Sequence, residues 1–176
     1  SGDHGQLFPG PVAPFGMIQL SPDSYPSGFN HQAHSGYNYK DQRLMGFSHV
    51  RLGGTGCSGS GGNILFLPFT GKPRMNPADY ATAYDKESEK AEPGYYRVDL
   101  SDPQISCELT VTPHAGLQRY RFPASDSAHV LVDLGRGVGP DEGVGVAHRA
   151  WVGGHRLARR EHVAHGAVGL EPVYYT

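Results

Sequence analysis

The sequence is short of aliphatic and charged residues, and each shortage narrows its class. Leu, Ile, Val and Phe make up 36 of its 176 residues, a share typical of disordered chains when the net charge is high. The net charge is only −2, however, and ten tyrosines supply large rings with a polar tip. With 18% charged residues and 25 glycines, the composition indicates one compact, turn-rich domain.

Long apolar runs, basic stripes and a cysteine framework are also missing from the sequence. No run approaches the roughly 18 apolar residues of a membrane span, so we expect no membrane partner. A pI near 6.5 without a Lys/Arg stripe argues against a nucleic-acid partner. The two cysteines, Cys57 and Cys107, allow one disulfide at most and do not fix the redox compartment.

What the sequence does contain is strand periodicity. Residues 105–111 alternate, with apolar side chains at the odd positions, and this pattern predicts a strand with one buried face. Residues 64–67 are apolar on both faces, which predicts a central strand covered on both sides. Further one-sided patterns comprise Tyr96, Val98 and Leu100; Tyr120 and Phe122; and Ala128, Val130, Val132 and Leu134, the last set opposite His129 and Asp133.

Glycine and proline interrupt most windows that a helix would need. The fold class expected is therefore mostly β, a sandwich of antiparallel sheets with few or no helices. Residues 85–90 lack an apolar stripe, so a solvated loop is favoured there over a single helical turn. The aspartates lie in turn contexts where an Asx-turn role suffices: Asp23, Asp41, Asp79, Asp102, Asp126 and Asp141.

The densest feature is a glycine-rich stretch at residues 46–62. It lacks the Gly-Lys-Ser/Thr ending of a phosphate loop, and a strand rather than a helix follows it. Two interpretations stay open: a ligand-facing loop presenting His49, Thr55 and backbone amides to sugar-like hydroxyls, or a wide connector between strands. Within the loop, Cys57 is better explained as a small buried residue than as a nucleophile.

Histidine is frequent, with ten in the chain. His31 and His34 lie three residues apart, as do His162 and His165, a spacing that two metal ligands on a helix could use. Glycine and proline surround both pairs, and neither has the third ligand of a zinc motif. Hydrogen bonding on loops is the favoured interpretation.

Three blocks of sequence in combination resemble a known family. They are residues 8–23, residues 35–57, and residues 92–98 followed in order by 125–135. Together they resemble the N-terminal region of glycoside hydrolase family 92, the calcium-dependent exo-α-mannosidases. The resemblance implies a β-supersandwich of the galactose-mutarotase-like kind.

The resemblance also implies a second domain, an (α/α) barrel, with the active site between the two. The acid, the base and the calcium ligands would come mainly from that barrel, so we expect neither catalytic residues nor metal ligands in this chain. Because residues 173–176 are patterned as an unfinished strand, we expect residues 1–176 to be a truncated N-terminal domain, inactive alone. Its partners would be a mannose-containing glycan and the helical domain of the same polypeptide, in a secreted or extracytoplasmic setting.

Carried over by position, the resemblance nominates substrate-binding residues. They are Phe15, His31, His34, His49, Gly54, Thr55, Gly56 and Cys57. One departure concerns the stretch before Ser35, where family members often have a Trp-rich segment and this chain has His31-Gln32-Ala33-His34. The imidazoles there raise the alternative of a mannosyl-phosphodiester substrate. A non-catalytic sugar-binding or mutarotase-like sandwich is a further alternative.

Overall fold

A computed structural model gives the three-dimensional structure of the chain. The residues that it describes are 7–24, 35–51, 53, 62–72, 76, 79–133, 149–153 and 162–169, the last two ranges as backbone only. The described residues form antiparallel strands and no α-helix, which confirms the mostly β prediction. No helix in these ranges is long and apolar enough to cross a membrane.

Ten strands occur in the described ranges. They are β1 (Ser21–Ser24), β2 (Arg43–Val50), β3 (Asn63–Thr70), β4 (Thr82–Glu92), β5 (Tyr95–Ser101), β6 (Gln104–Val111), β7 (Ala115–Phe122), β8 (Ala128–Asp133), β9 (Arg149–Gly153) and β10 (His162–Gly169).

These strands form one antiparallel sheet that bends between β2 and β4, so that it has two halves. The strand order is β10-β7-β6-β5-β4-β2-β3-β8-β9, and β1 pairs with β2 outside this path. The link between the halves is short, since β2 and β4 pair only through Arg43 with Ala83 and Leu44 with Thr82. The half containing β2, β3 and β8 then packs face to face on the half containing β4 to β7, as in a sandwich.

The core between the halves follows the period-two patterns of the sequence. Tyr96, Val98 and Leu100 of β5 are all at most 3% exposed. On β6, Ile105, Cys107 and Leu109 are buried at alternate positions, as predicted, and Cys107 is a free thiol. Tyr120 and Phe122 of β7 share this core, as do residues from β2 and β3.

Strand β3 is covered on both faces, which confirms the prediction for residues 64–67. It lies between β2 and β8 in the sheet. Phe66 faces the core between the halves, whereas Leu65 and Leu67 join a second buried cluster with Met45, Phe69, Tyr80 and Leu131. A strand with apolar side chains in both directions is therefore buried from both sides.

The prediction for residues 85–90 is wrong, because this segment is neither a loop nor a helical turn. It lies within β4, and its ladder with β5 is irregular between Asp85 and Lys90. A bulge of this kind changes the face to which side chains point without ending the strand. Here it brings Lys86 and Glu89 inward, where both are mostly buried.

Strand β8 is also buried differently from its pattern. Val130 and Val132 pack against the core between the halves, but Leu131 and Asp133 on the opposite face are more deeply buried. Asp133 is 3% exposed and accepts a hydrogen bond of 3.0 Å from the Tyr80 hydroxyl. A tyrosine hydroxyl thus satisfies a carboxylate that strand periodicity alone places on a polar face.

Candidate functional site

The residues nominated from the sequence fall into two groups. His31, His34, Gly54, Thr55, Gly56 and Cys57 lie outside the described residues, and their roles stay predictions. Phe15 and His49 are described. The structure also describes the points at which segments 25–34 and 52–61, which contain the first group, join the sheet.

Those joining points converge on one buried ion pair. Asp23 of β1 is fully buried, and Arg51, which follows β2, is 2% exposed. The Arg51 Nε donates to Asp23 Oδ1 at 3.0 Å and its Nη2 to Oδ2 at 2.6 Å, a two-point contact. The Ser48 hydroxyl donates to Oδ1 at 2.8 Å. Because both ions are buried, these bonds replace the solvation that each ion loses on folding.

Two glycines make room for the guanidinium. A Cβ on Gly36 would lie 2.3 Å from Arg51 Cζ, and one on Gly62 would lie 2.6 Å from the same atom. Both glycines have positive φ angles, of 76° and 85°, so each position disfavours a side chain on two grounds. Gly36 follows segment 25–34 and Gly62 follows segment 52–61. The glycines therefore bring both segments' ends against one arginine.

The ends of each segment are also closed by backbone hydrogen bonds. The Ser24 amide donates to the Gly36 carbonyl at 2.8 Å across segment 25–34. The Gly62 amide donates to the Val50 carbonyl at 2.5 Å across segment 52–61. Arg51 itself donates its amide to Gln19 O at 3.1 Å. The pair Ser24 and Gly36 forms the neck of segment 25–34, and the pair Val50 and Gly62 forms the neck of segment 52–61. Both necks are thus fixed relative to the same part of the sheet.

The Asx-turn interpretation of Asp23 is wrong. Its carboxylate bonds to two side chains 25 and 28 residues away along the chain, not to its own turn. One sign was visible beforehand: Asp23 closely follows the apolar Ile18 and Leu20. The structure buries both, and a carboxylate among buried residues needs a partner. Nothing in the spacing identified Arg51 as that partner.

His49 lies in the core and not at the surface. Its side chain is 1% exposed, and its ring centroid is 4.9 Å from that of Phe66. Gln118 Nε2 lies 3.0 Å from His49 Nδ1, and the Tyr120 hydroxyl donates to Gln118 Oε1. This chain of bonds fits a neutral imidazole that accepts at Nδ1 and carries its proton on Nε2.

The other side of the His49 ring faces backbone. Nε2 makes no hydrogen bond of good geometry within the described part of the chain, and it lies beside Gly116. Burial is the largest influence on the pKa of His49 and lowers it to about 4, while the Gly116 backbone acts in the opposite direction. The described contacts make His49 a brace between β2 and β7. Contact with a ligand stays a prediction.

Phe15 has the opposite environment. It is fully exposed and has a φ angle of 57°, within a turn closed by the Gly16 amide and the Ala13 carbonyl at 2.9 Å. A bulky residue in the left-handed region is strained by about 1–2 kcal/mol. Strained, exposed residues concentrate where proteins bind ligands. The exposure of Phe15 excludes a core role among the described residues. Contact of Phe15 with a ligand stays a prediction.

A further cluster, which sequence reasoning missed, surrounds Lys86. Its ammonium lies 4.2 Å from the ring centroid of Tyr39 and 4.9 Å from those of Tyr37 and Tyr84. It also pairs with Glu89 at 3.2 Å, and Glu89 accepts hydrogen bonds from Tyr37. Burial, followed by the Glu89 charge, raises the pKa of Tyr37, so its hydroxyl remains a donor. The cluster fixes the irregular segment 37–39, which lies ahead of β2, to the bulge of β4.

The described residues do not fit a calcium site. Within those ranges, no group of three or more His, Cys, Asp or Glu side chains is arranged to hold a metal. Asp23, the most buried carboxylate, has both oxygens committed to Arg51 and Ser48.

The described strands define the class of protein as an antiparallel β-sandwich domain, and the sequence adds a glycine-rich connection between β2 and β3. Comparison with known families then gives the assignment. The glycosyl hydrolase family 92 N-terminal domain matches residues 1–170. The chain belongs to this family, as the resemblance predicted.

Individual relatives agree with this assignment. An uncharacterized secreted glycosidase of Arthroderma benhamiae is 32% identical over 142 residues, covering 74% of this chain and 18% of the relative. A family 92 α-mannosidase of Bacteroides thetaiotaomicron, solved with mannoimidazole, is 36% identical with a TM-score of 0.70, covering 76% of this chain and 18% of that one.

A further family 92 glycosyl hydrolase, named ccman5, is 30% identical with a TM-score of 0.66. The match covers 77% of this chain and 19% of that one. The chain therefore spans less than a fifth of the length of these relatives.

Proposed function

We propose that this chain forms one wall of the active site of an exo-acting, inverting α-mannosidase that removes terminal mannose from glycans. The observation that carries the proposal is the family match over residues 1–170. It is supported by 36% identity to a family 92 α-mannosidase. Family membership alone does not fix a reaction, so the proposal also relies on the site. There, segments 25–34 and 52–61, which contain six of the nominated residues, end at one buried ion pair.

Inversion requires two carboxyl groups on opposite sides of the scissile bond. One protonates the leaving oxygen while the other activates a water molecule. We place both groups, and the ligands of a calcium ion, in a helical domain of the same polypeptide. The role left to this chain is to bind and orient the terminal mannose. The name of the secreted relative supports an extracytoplasmic location.

Mannose release by the full encoded polypeptide tests the proposal directly. We expect release of terminal mannose from an α-mannobioside, loss of release on chelation with EDTA, and recovery with calcium. Proton NMR of the first product should detect β-mannose, since inversion reverses the anomeric configuration. Mannose binding without release would instead favour the sugar-binding sandwich.

A second candidate substrate is a mannosyl phosphodiester, favoured by His31-Gln32-Ala33-His34 before Ser35. Protonated or hydrogen-bonding imidazoles suit an anionic leaving group better than a neutral sugar. We expect His31→Ala and His34→Ala each to lower kcat/KM more for a mannosyl phosphodiester than for a neutral mannobioside. Equal losses on both substrates would remove this candidate.

Phe15 provides a test that separates binding from folding. Phe15→Asn should relieve part of the left-handed strain, since asparagine tolerates this conformation, and raise the free energy of unfolding by up to about 1 kcal/mol. The same change should lower kcat/KM about tenfold, the equivalent of one aromatic contact. Leu7→Asn, at another exposed apolar residue, is the control and should leave kcat/KM unchanged. Unchanged kcat/KM in Phe15→Asn would exclude Phe15 from the site.

A further inference from the structure

One buried ion pair serves two segments of the chain at once. Asp23 lies at the end of β1, one residue before Ser24 and segment 25–34. Arg51 lies at the start of segment 52–61, 28 residues further along. Since the pair is sealed from water, its two hydrogen bonds fix the relative position of the strands that carry it.

The return ends of both segments touch the same guanidinium. Gly36 and Gly62 approach so closely that a Cβ on either would lie within 2.6 Å of Arg51 Cζ. The positions of all four joining points therefore depend on the Arg51 guanidinium. Gly36 and Gly62 contact it directly, and Ser24 is bonded to Gly36. Displacement of that group must shift both necks together.

We propose that Asp23 and Arg51 are positioning residues, an ion pair that sets the ends of segments 25–34 and 52–61 in one fixed arrangement and thereby sets the affinity for substrate. This inference rests on the proposed function for its consequence in catalysis. Its structural part, the coupling of the two necks, stands on the described residues alone. Neither Asp23 nor Arg51 is a catalytic residue here, because each acts through the segments that it holds.

The structural part is tested by amide hydrogen exchange in the full encoded polypeptide. The two reporters are the Ser24 amide, bonded to Gly36 O, and the Gly62 amide, bonded to Val50 O. Asp23→Asn weakens the pair from the β1 side only. We expect exchange at both amides to accelerate, by about tenfold or more, because the shared anchor is loosened. Acceleration at Ser24 alone would overturn the coupling.

Two further variants make this result secure. Ser48→Ala removes a single 2.8 Å bond to Asp23 Oδ1 and leaves the ion pair, so it remains informative if Asp23→Asn does not fold. Ser48→Ala should accelerate hydrogen exchange at the same two amides by a smaller factor. Asp99→Asn breaks the exposed Arg97 pair of 3.2 Å on β5 and is the matched control. It should change neither amide, because exposed pairs contribute little.

The catalytic consequence is tested by separating KM from kcat on an α-mannoside. Misplaced binding segments should raise KM about tenfold in Asp23→Asn while kcat changes less. A merely structural role would lower the folded fraction, and hence the apparent kcat, with KM unchanged, and that outcome would overturn the positioning role. If the unaltered protein released no mannose, the proposed function and this catalytic role would both fail. The exchange data would still decide the coupling.

Discussion

Gly36→Ala is expected to destabilise the protein by about 4–7 kcal/mol, which is a large part of the roughly 5–15 kcal/mol that holds a typical domain folded. Two costs combine at this position. A non-glycine residue at a φ of 76° costs about 1–2 kcal/mol. In addition, the new Cβ would lie 2.3 Å from Arg51 Cζ. The guanidinium must then leave Asp23, and breaking a buried pair costs about 3–5 kcal/mol.

The chain offers a matched control for this substitution at Gly94. Its φ angle is 77°, almost the same as that of Gly36, but no atom lies within 4 Å of a Cβ placed there. Gly94→Ala should therefore cost only the conformational part, about 1–2 kcal/mol. Urea unfolding of both variants measures the difference, which reports the displacement of Arg51 alone. Equal losses in the two variants would show that the guanidinium moves aside freely.

The strands were largely predictable because their cause is local. Alternation of apolar side chains on β6 requires only the two-residue repeat of a strand and one buried face. Burial of β3 on both sides follows just as directly from its continuous apolar run. The same logic failed for residues 85–90, because the side chains that stabilise this part of β4 are polar. Lys86 and Glu89 are held by tyrosines distant in sequence.

The candidate site was less predictable because, like the bulge of β4, it depends on contacts between residues distant in sequence. The partnership of Asp23 with Arg51 joins positions 28 residues apart, and no periodicity encodes it. The resemblance nominated loop residues, whereas Asp23 and Arg51, which fix the ends of those loops, lie inside the quoted blocks without having been nominated. Asp23 was interpreted as a turn former. Phe15 could be nominated from its motif, but its strained φ angle required coordinates.

The second large effect expected is a loss of stability at acid pH caused by His49. Burial lowers its folded pKa to about 4, whereas an unfolded histidine titrates near 6.5. Between these values the unfolded chain binds a proton that the folded chain does not. The stabilisation is therefore fully present above about pH 6.5 and is lost as the pH falls toward 4, by about 3 kcal/mol in total.

His49→Gln should remove this part of the pH dependence. Glutamine does not titrate, so the variant should show a flatter dependence of the unfolding free energy on pH between about 6.5 and 4. His114→Gln is the control, since His114 is exposed in the turn between β6 and β7. A direct measurement follows the chemical shifts of the His49 imidazole by NMR as the pH is varied. The midpoint of this titration is expected near pH 4 in the folded chain.

The acid result would also decide how His49 is used. If the imidazole stays neutral throughout the physiological range, its Nδ1 accepts from Gln118 and ties β2 to β7 directly before the ion pair at Arg51. Its contribution to the site would then be rigidity in the strand that leads into segment 52–61. A midpoint near 6.5 would instead mean that water reaches the ring, which would favour the prediction that His49 contacts a ligand.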